Sequence, residues 1–173
     1  MPLVPVVLVG FMGAGKSTVG RLVAARLGLV FADSDEVLGQ RTGRTPREIF
    51  ATDGEAAFRA LEREVVRDLV TGRTAGVVAL GGGAVEDAGT RQVLRDARVV
   101  HLEVSFEQVR ARVGDDPGRP VLARPDLPGL FAARRAAYGE VADVVVATDG
   151  LTPADVADHV VAALARLASP TGG

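Results

Sequence analysis

A chain of 173 residues with 20 basic and 22 acidic side chains carries a net charge of −2, which excludes the cationic surface that polynucleotides or anionic membranes require. That length suits one domain with a proper core, and the absence of cysteine excludes disulfides, thiol catalysis and thiolate metal sites. The first apolar run is too short to span a membrane and has no basic residue before it as a secretion signal would, so a cytoplasmic protein with no nucleic-acid or membrane partner is expected.

Strand and helix patterns alternate along the chain. Val4 to Val9 is a short apolar, β-branched run that reads as a buried strand. Gly10-Phe11-Met12-Gly13-Ala14-Gly15-Lys16-Ser17 follows, and then a helix with Val19, Leu22, Val23 and Leu27 at helical spacing, closed by Gly28. Leu29 to Ala32 reads as a second strand ending at Asp33, with a helical segment from Glu36 to about Arg41 that breaks at Gly43. Thr45-Pro46-Arg47-Glu48 is a capping box with proline at the first helical position. A longer helix from Gly54 places Phe58, Leu61, Val65 and Leu69 on one face. The third strand, Gly76 to Leu80, ends in Gly81-Gly82-Gly83, and the fourth is Arg98 to Glu103. Phe106 to Val113 is helical, and Gly114 to Pro128 is a breaker-rich loop. A helix through Tyr138, a fifth strand at Val144 to Ala147 and a final helix capped by Thr152-Pro153 complete the pattern, leaving 169–173 as a tail. The alternation predicts an α/β fold: a five-stranded parallel sheet flanked by helices on both faces, with ligands at the carboxyl ends of the strands.

Those strand ends carry the chemistry. The first ends in a G-x-x-x-x-G-K-[ST] phosphate-binding loop, whose glycines aim backbone N–H groups at an anion beside a helix N-terminus. Lys16 is the only lysine, against nineteen arginines. A compact ammonium can reach phosphate oxygens inside a tight loop where a planar guanidinium cannot fit, so this one lysine is chemically constrained. The Ser17 hydroxyl is placed to coordinate Mg²⁺. Asp33 and Asp35 lie two apart and share a side while extended. One could hold Mg²⁺ through its water shell and the other could orient a substrate hydroxyl or accept its proton, unless Asp35 only caps the following helix. With the single lysine committed, an Asn-Lys-x-Asp guanine motif is impossible, and a small-metabolite kinase is what remains.

Gly10 to Ser17, Asp33-Ser34-Asp35, Ile49-Phe50 followed by Gly54-Glu55 and Phe58-Arg59, Gly81-Gly82-Gly83, Arg119-Pro120 and Arg134-x-x-x-Tyr138 together resemble the shikimate kinase family, from about Val6 to Leu164. The resemblance implies a fold like that of nucleoside monophosphate kinases, in one domain, with substrate-binding helices over about 35–70 and a mobile lid over about 114–130. It implies ATP-dependent phosphorylation of the 3-hydroxyl of shikimate, with Mg²⁺, in the chorismate pathway, by a monomer. By the same resemblance, Gly13, Ala14, Gly15, Lys16, Ser17 and Thr18 cradle the nucleotide phosphates, and Ser17 and Asp33 serve the metal. Asp35 engages the substrate hydroxyls, Arg59 and Arg134 clamp the carboxylate, and Gly81, Gly82 and Gly83 approach the ring. Arg119 reaches the phosphates from the lid, while Arg112 and Pro153 flank the adenine. Lys16, Asp35 and Arg119 are the catalytic set.

Bidentate arginines suit a carboxylate, although Arg59 could instead pair with Glu55 or Glu62 on the helix surface. Arg134 and Arg135 are adjacent, and the four-residue offset to Tyr138 selects Arg134. His101 and His159 are expected to be structural or exposed. The stretch between Arg119 and Arg134 is about one helical turn shorter than the family pattern, and Arg124 is a second lid cation that could share the role of Arg119. The alternatives are a gluconate-type or nucleoside-monophosphate-type kinase of the same fold, or a nucleotide-binding regulatory module without catalysis.

Overall fold

The computed structural model describes residues 4–72, 76–114 and 124–169. Five parallel strands form one sheet in the order β2-β3-β1-β4-β5: β1 (Val6–Val9), β2 (Phe31–Asp33), β3 (Val77–Ala79), β4 (Arg98–Glu103) and β5 (Val144–Ala147). The helices between them are α1 (Lys16–Leu27), α2 (Ser34–Thr42), α3 (Pro46–Asp53), α4 (Glu55–Thr71), α5 (Ala88–Val93), α6 (Phe106–Val113), α7 (Leu127–Val141) and α8 (Pro153–Ala168). Every residue of β1 is buried, as an apolar run covered on both sheet faces must be. With few aromatics available, the core is built from Val, Leu and Ala of the central strands together with Val19, Val23, Val66, Val156 and Val160. A second, smaller cluster of Leu38, Ile49, Phe58 and Val65 holds α2, α3 and α4 together beside the sheet. Among the described residues, no helix is long and apolar enough to cross a membrane.

Local chemistry explains most boundaries. Gly28 is left-handed and its N–H closes α1 onto the carbonyls of Ala24 and Ala25. The expected capping box forms between Thr45 and Glu48, and the cap at Thr152 proves to be a second one, with Asp155, each with proline in the first turn. The second strand starts two residues later than expected because Leu29 still donates to Ala24, at 2.9 Å, and so belongs to the end of α1. The helix before Gly43 starts earlier than expected, at Ser34, because Asp33 caps it. The expected loop to Pro128 ends sooner, since α7 starts at Leu127 and Pro128 occupies a first-turn position where no N–H is needed. The proposed lid therefore overlaps α7, and its stretch 115–123, with Arg119, lies outside the described residues. So do tail residues 170–173. The sequence reading had no element between Gly83 and Arg98. That stretch holds two 3₁₀ turns, Ala84–Glu86 and Leu94–Asp96, around α5, which Asp87 caps through Thr90. Six residues are too few for helical periodicity to register.

Gly20 lies inside α1 against β2, where an added Cβ would stand 2.4 Å from Phe31 Cε2 and 3.2 Å from Leu8 Cδ1. Glycine to alanine in a helix interior ordinarily stabilises by roughly 0.5–1 kcal/mol. Here the collision reverses the sign, and Gly20→Ala should lower the urea unfolding free energy by about 1–2 kcal/mol. An unchanged or raised midpoint would show that Phe31 gives way without cost.

Candidate active site

Three neighbouring strands, β1, β2 and β3, deliver the site at the carboxyl edge of the sheet. After β1 the chain enters the loop from Gly10 to Gly15. Gly15 has φ 87°, a left-handed conformation that lets α1 begin directly at Lys16. The Lys16 ammonium bends back over the loop, donating to Gly10 O at 2.8 Å and Phe11 O at 3.2 Å. Gly13, Gly15, Lys16, Ser17 and Thr18 line a cleft of about 480 Å³, and Ala14 is buried beneath it. Arg112 holds this loop from outside. Its Nη1 donates to Gly13 O at 3.0 Å and Thr148 Oγ1 at 3.2 Å, and its Nη2 donates to Thr148 O at 3.1 Å. Pro153 opens α8 just beyond that anchor.

Asp33, the last residue of β2, uses both carboxylate oxygens. Oδ1 accepts from the Asp35 amide at 2.9 Å and the Glu36 amide at 3.3 Å, starting α2, and Oδ2 accepts the Ser17 hydroxyl. The capping alternative weighed for Asp35 is thus taken by Asp33. The shared side expected of an extended Asp33 and Asp35 does not exist, because Asp35 is already in the first turn of α2. Ser17 and Asp33 are hard oxygen donors in mutual contact beside the phosphate loop. They suit Mg²⁺, which takes few protein ligands when phosphate oxygens supply others. Among the described residues there is no cluster of three or more His, Asp or Glu that could form an all-protein metal cage.

Asp35 lines the phosphate cleft and also a second, more apolar cleft of about 560 Å³. This second cleft is formed by Phe50 and Phe58, the arginines Arg47, Arg59, Arg124 and Arg134, Glu62, and the triple glycine after β3. Gly83 has no room for a side chain, since a Cβ would stand 2.4 Å from Arg59 Nη2 and 2.9 Å from Arg134 Nη2. Both guanidiniums therefore converge on one backbone point. The loop is held from two sides: Gly81 N–H donates to the buried Ser34 Oγ at 3.1 Å, and Tyr138 Oη donates to Gly82 O at 2.5 Å. Arg134, one turn before Tyr138, lies over the Phe11 ring, 5.8 Å from its centroid. Arg135 points elsewhere, to Glu103 at 2.8 Å, so the offset to Tyr138 selected the inward arginine. Arg59 does pair with Glu62, at 2.7 Å, but Glu62 is buried and Arg59 faces the cleft at the same time. Arg124 is at the rim, forked onto Asp126 at 2.9 and 2.8 Å. His101 is buried against Tyr138, and His159 is exposed.

Burial governs the acids here. It pushes the Asp35 carboxyl up from its ordinary value, with help from Asp33, while Lys16 and Arg59 pull it down. Glu62 is pushed up to about 7, chiefly by burial and against the pull of Arg59. Sequence reasoning treated Glu62 only as a surface partner of Arg59. Its position four residues after Phe58 and three before Val65 was the usable signal, because a carboxylate on the apolar stripe of a helix must be paired. Ser34 and the Tyr138 hydroxyl gave no comparable signal.

A profile of the family described as "Shikimate kinase" matches residues 12–165. The chain is 50% identical to a shikimate kinase of Streptomyces coelicolor over 154 residues, covering 87% of this chain and 90% of that protein. It is 48% identical to a shikimate kinase of Streptomyces avermitilis over 162 residues, covering 92% and 94%. Among solved structures it is similar to a shikimate kinase from Acinetobacter baumannii in complex with shikimate. That match has a TM-score of 0.89 and 36% identity over 97% of this chain and 96% of the other.

Because Glu62 rises from 4.5 to about 7 on folding, the native state holds a proton that the unfolded chain has released between those values. Its stabilisation is complete below about pH 4.5 and is lost as the pH climbs to about 7, a change on the order of 3 kcal/mol. Urea midpoints should fall between pH 5 and 7.5 in the native sequence, and the fall should be much shallower in Glu62→Gln. Equal slopes would place the proton elsewhere.

Proposed function

We propose, for a chain that belongs to the shikimate kinase family, transfer of the γ-phosphoryl group of ATP to the 3-hydroxyl of shikimate, giving shikimate 3-phosphate and ADP. The observation that carries this reading is the meeting of the two clefts at Asp35. One cleft is built for phosphates and the other ends in two convergent arginines, so one carboxyl stands between a phosphoryl donor and a small acid.

In this reading the loop N–H groups, Lys16 and Thr18 hold the phosphates. Lys16 exchanges the carbonyls of Gly10 and Phe11 for phosphate oxygens. Ser17 and Asp33 would hold Mg²⁺, which would supply charge neutralisation of the phosphates. Arg59 and Arg134 take the substrate carboxylate side-on, and Gly81 to Gly83 let the ring approach the backbone closely. The ring hydroxyl then faces Asp35. Its oxygen attacks phosphorus, the bond to the ADP oxygen breaks, and the hydroxyl proton passes to the Asp35 carboxylate, whose raised pKa makes it a better acceptor. Arg112 and Pro153 border the adenine, and Arg119 adds a cation from the lid. The same proposal takes the enzyme to be a monomer.

Coupled ADP-release assays should give turnover with shikimate and not with gluconate or nucleoside monophosphates. Turnover with either of the latter would replace the substrate assignment. Arg59→Lys should raise the shikimate KM roughly thirty- to a hundredfold, from about 2–3 kcal/mol of lost bidentate contact, while ATP affinity holds. A drop in ATP affinity instead would move Arg59 to the nucleotide site. Lys16→Arg keeps the charge but should cut turnover by about a hundredfold or more, because a planar guanidinium fork cannot take the place of a compact ammonium among phosphate oxygens. Near-normal activity would remove the significance of the single lysine.

A further inference from the structure

Glu86 closes the 3₁₀ turn that follows the triple glycine, and its carboxylate is held by both converging arginines. Oε2 accepts from Arg59 Nη2 at 3.1 Å and from Arg134 Nη2 at 3.4 Å, and Oε1 accepts from Arg134 Nε at 3.2 Å. It therefore covers the Nε–Nη2 edge of Arg134 side-on, the geometry in which an arginine grips any carboxylate. We propose that Glu86 is an internal occupant of the arginine clamp. It fills the position of the substrate carboxylate in the ligand-free enzyme and has to withdraw for the substrate to bind. This rests on the reading of Arg59 and Arg134 as the carboxylate clamp.

The contrast with Glu62 separates a resident from a lodger. Glu62 is 3% exposed and meets Arg59 at 2.7 Å, a full charge-assisted contact. Glu86 is 36% exposed and its three contacts are all longer, so solvent already competes for its oxygens. Its backbone is fixed independently of its side chain. Glu86 N–H donates to Gly83 O at 3.0 Å, and Arg91 Nη1 donates to Val85 O at 2.7 Å and Glu86 O at 3.1 Å. The side chain can thus turn out to water without moving the turn.

The consequences for the two arginines differ. Arg59 keeps Glu62 when Glu86 leaves. Arg134 is 9% exposed, and Glu86 is the one carboxylate paired with it among the described residues. A buried guanidinium stripped of its anion is costly, so Glu86 departs as another carboxylate arrives. The exchange is anion for anion. A polyol without a carboxylate cannot complete it, which makes Glu86 a selectivity element as well as a competitor.

Titration calorimetry of shikimate into the native protein, Glu86→Ala and Glu86→Gln tests this. Removing a competing, partly exposed ion pair should lower the shikimate Kd by about three- to tenfold in both variants. Saturating shikimate should also raise the melting temperature more in the variants than in the native protein, because Arg134 gains a partner it then lacks. An unchanged or raised Kd in both would overturn the proposal and make Glu86 a bystander or a buttress of the arginines. Arg59→Lys in the same titration separates the two levels. If it weakens shikimate while the Glu86 variants do not tighten it, only the occupant idea falls. If it leaves shikimate binding untouched, the clamp falls and the occupant with it.

Discussion

Everything at the carboxyl edge of the sheet depends on the two-sided use of the Asp33 carboxylate. One oxygen starts α2 and the other receives Ser17 at the start of α1. Two helix N-termini are thereby brought to one spot: Asp33 satisfies the first amides of α2, and α1 presents the positive end of its dipole to the phosphate loop, where an anion is most easily held. The same bonds decide what Asp35 can do. Had β2 run two residues further, Asp35 would have lain along the strand. Because Asp33 ends the strand and caps the helix, Asp35 turns into the seam between the clefts.

Beyond that point the site is a balance of charges. Arg59 and Arg134 converge on the space a Gly83 side chain would fill, and two guanidiniums so close repel unless anions intervene. Glu86 supplies one and Glu62, once its proton has left near pH 7, the other, the first open to solvent and the second sealed. Magnitudes settle which is permanent: removing one partner of a buried pair costs several kcal/mol, whereas an exposed pair is worth about 1 kcal/mol or less. Burial also holds the Asp35 and Glu62 carboxyls above their ordinary values although cations stand beside both. Desolvation outweighs attraction there.

Much of this was legible in the sequence because it is written in local rules. The phosphate loop, the Thr45 capping box, the Thr152 cap, Gly28 and Gly43 as helix ends and the full extent of β4 each follow from a few adjacent residues. Arg134 could be told from Arg135 because helical spacing ties it to Tyr138. Long-range contacts were not legible. That Ser34 would support Gly81, 47 residues away, or that Arg112 would grip Gly13, 99 residues away, has no local trace. Glu62 lay between, visible as an acid on an apolar stripe but silent about its proton. Glu86 sits in a three-residue turn, where no periodicity could assign it a face.

The chain has one tyrosine and no tryptophan, and that tyrosine is Tyr138. Its hydroxyl is bonded to the carbonyl of Gly82, its ring touches His101, and Arg134 lies one turn away. Near-ultraviolet emission from this protein is therefore dominated by a single buried phenol fastened to the middle of the triple glycine. The molecule carries its own optical probe at the wall of the second cleft. Changes in the hydrogen bonding of that wall can be followed in the native sequence, with no label attached and no second fluorophore of comparable strength to subtract.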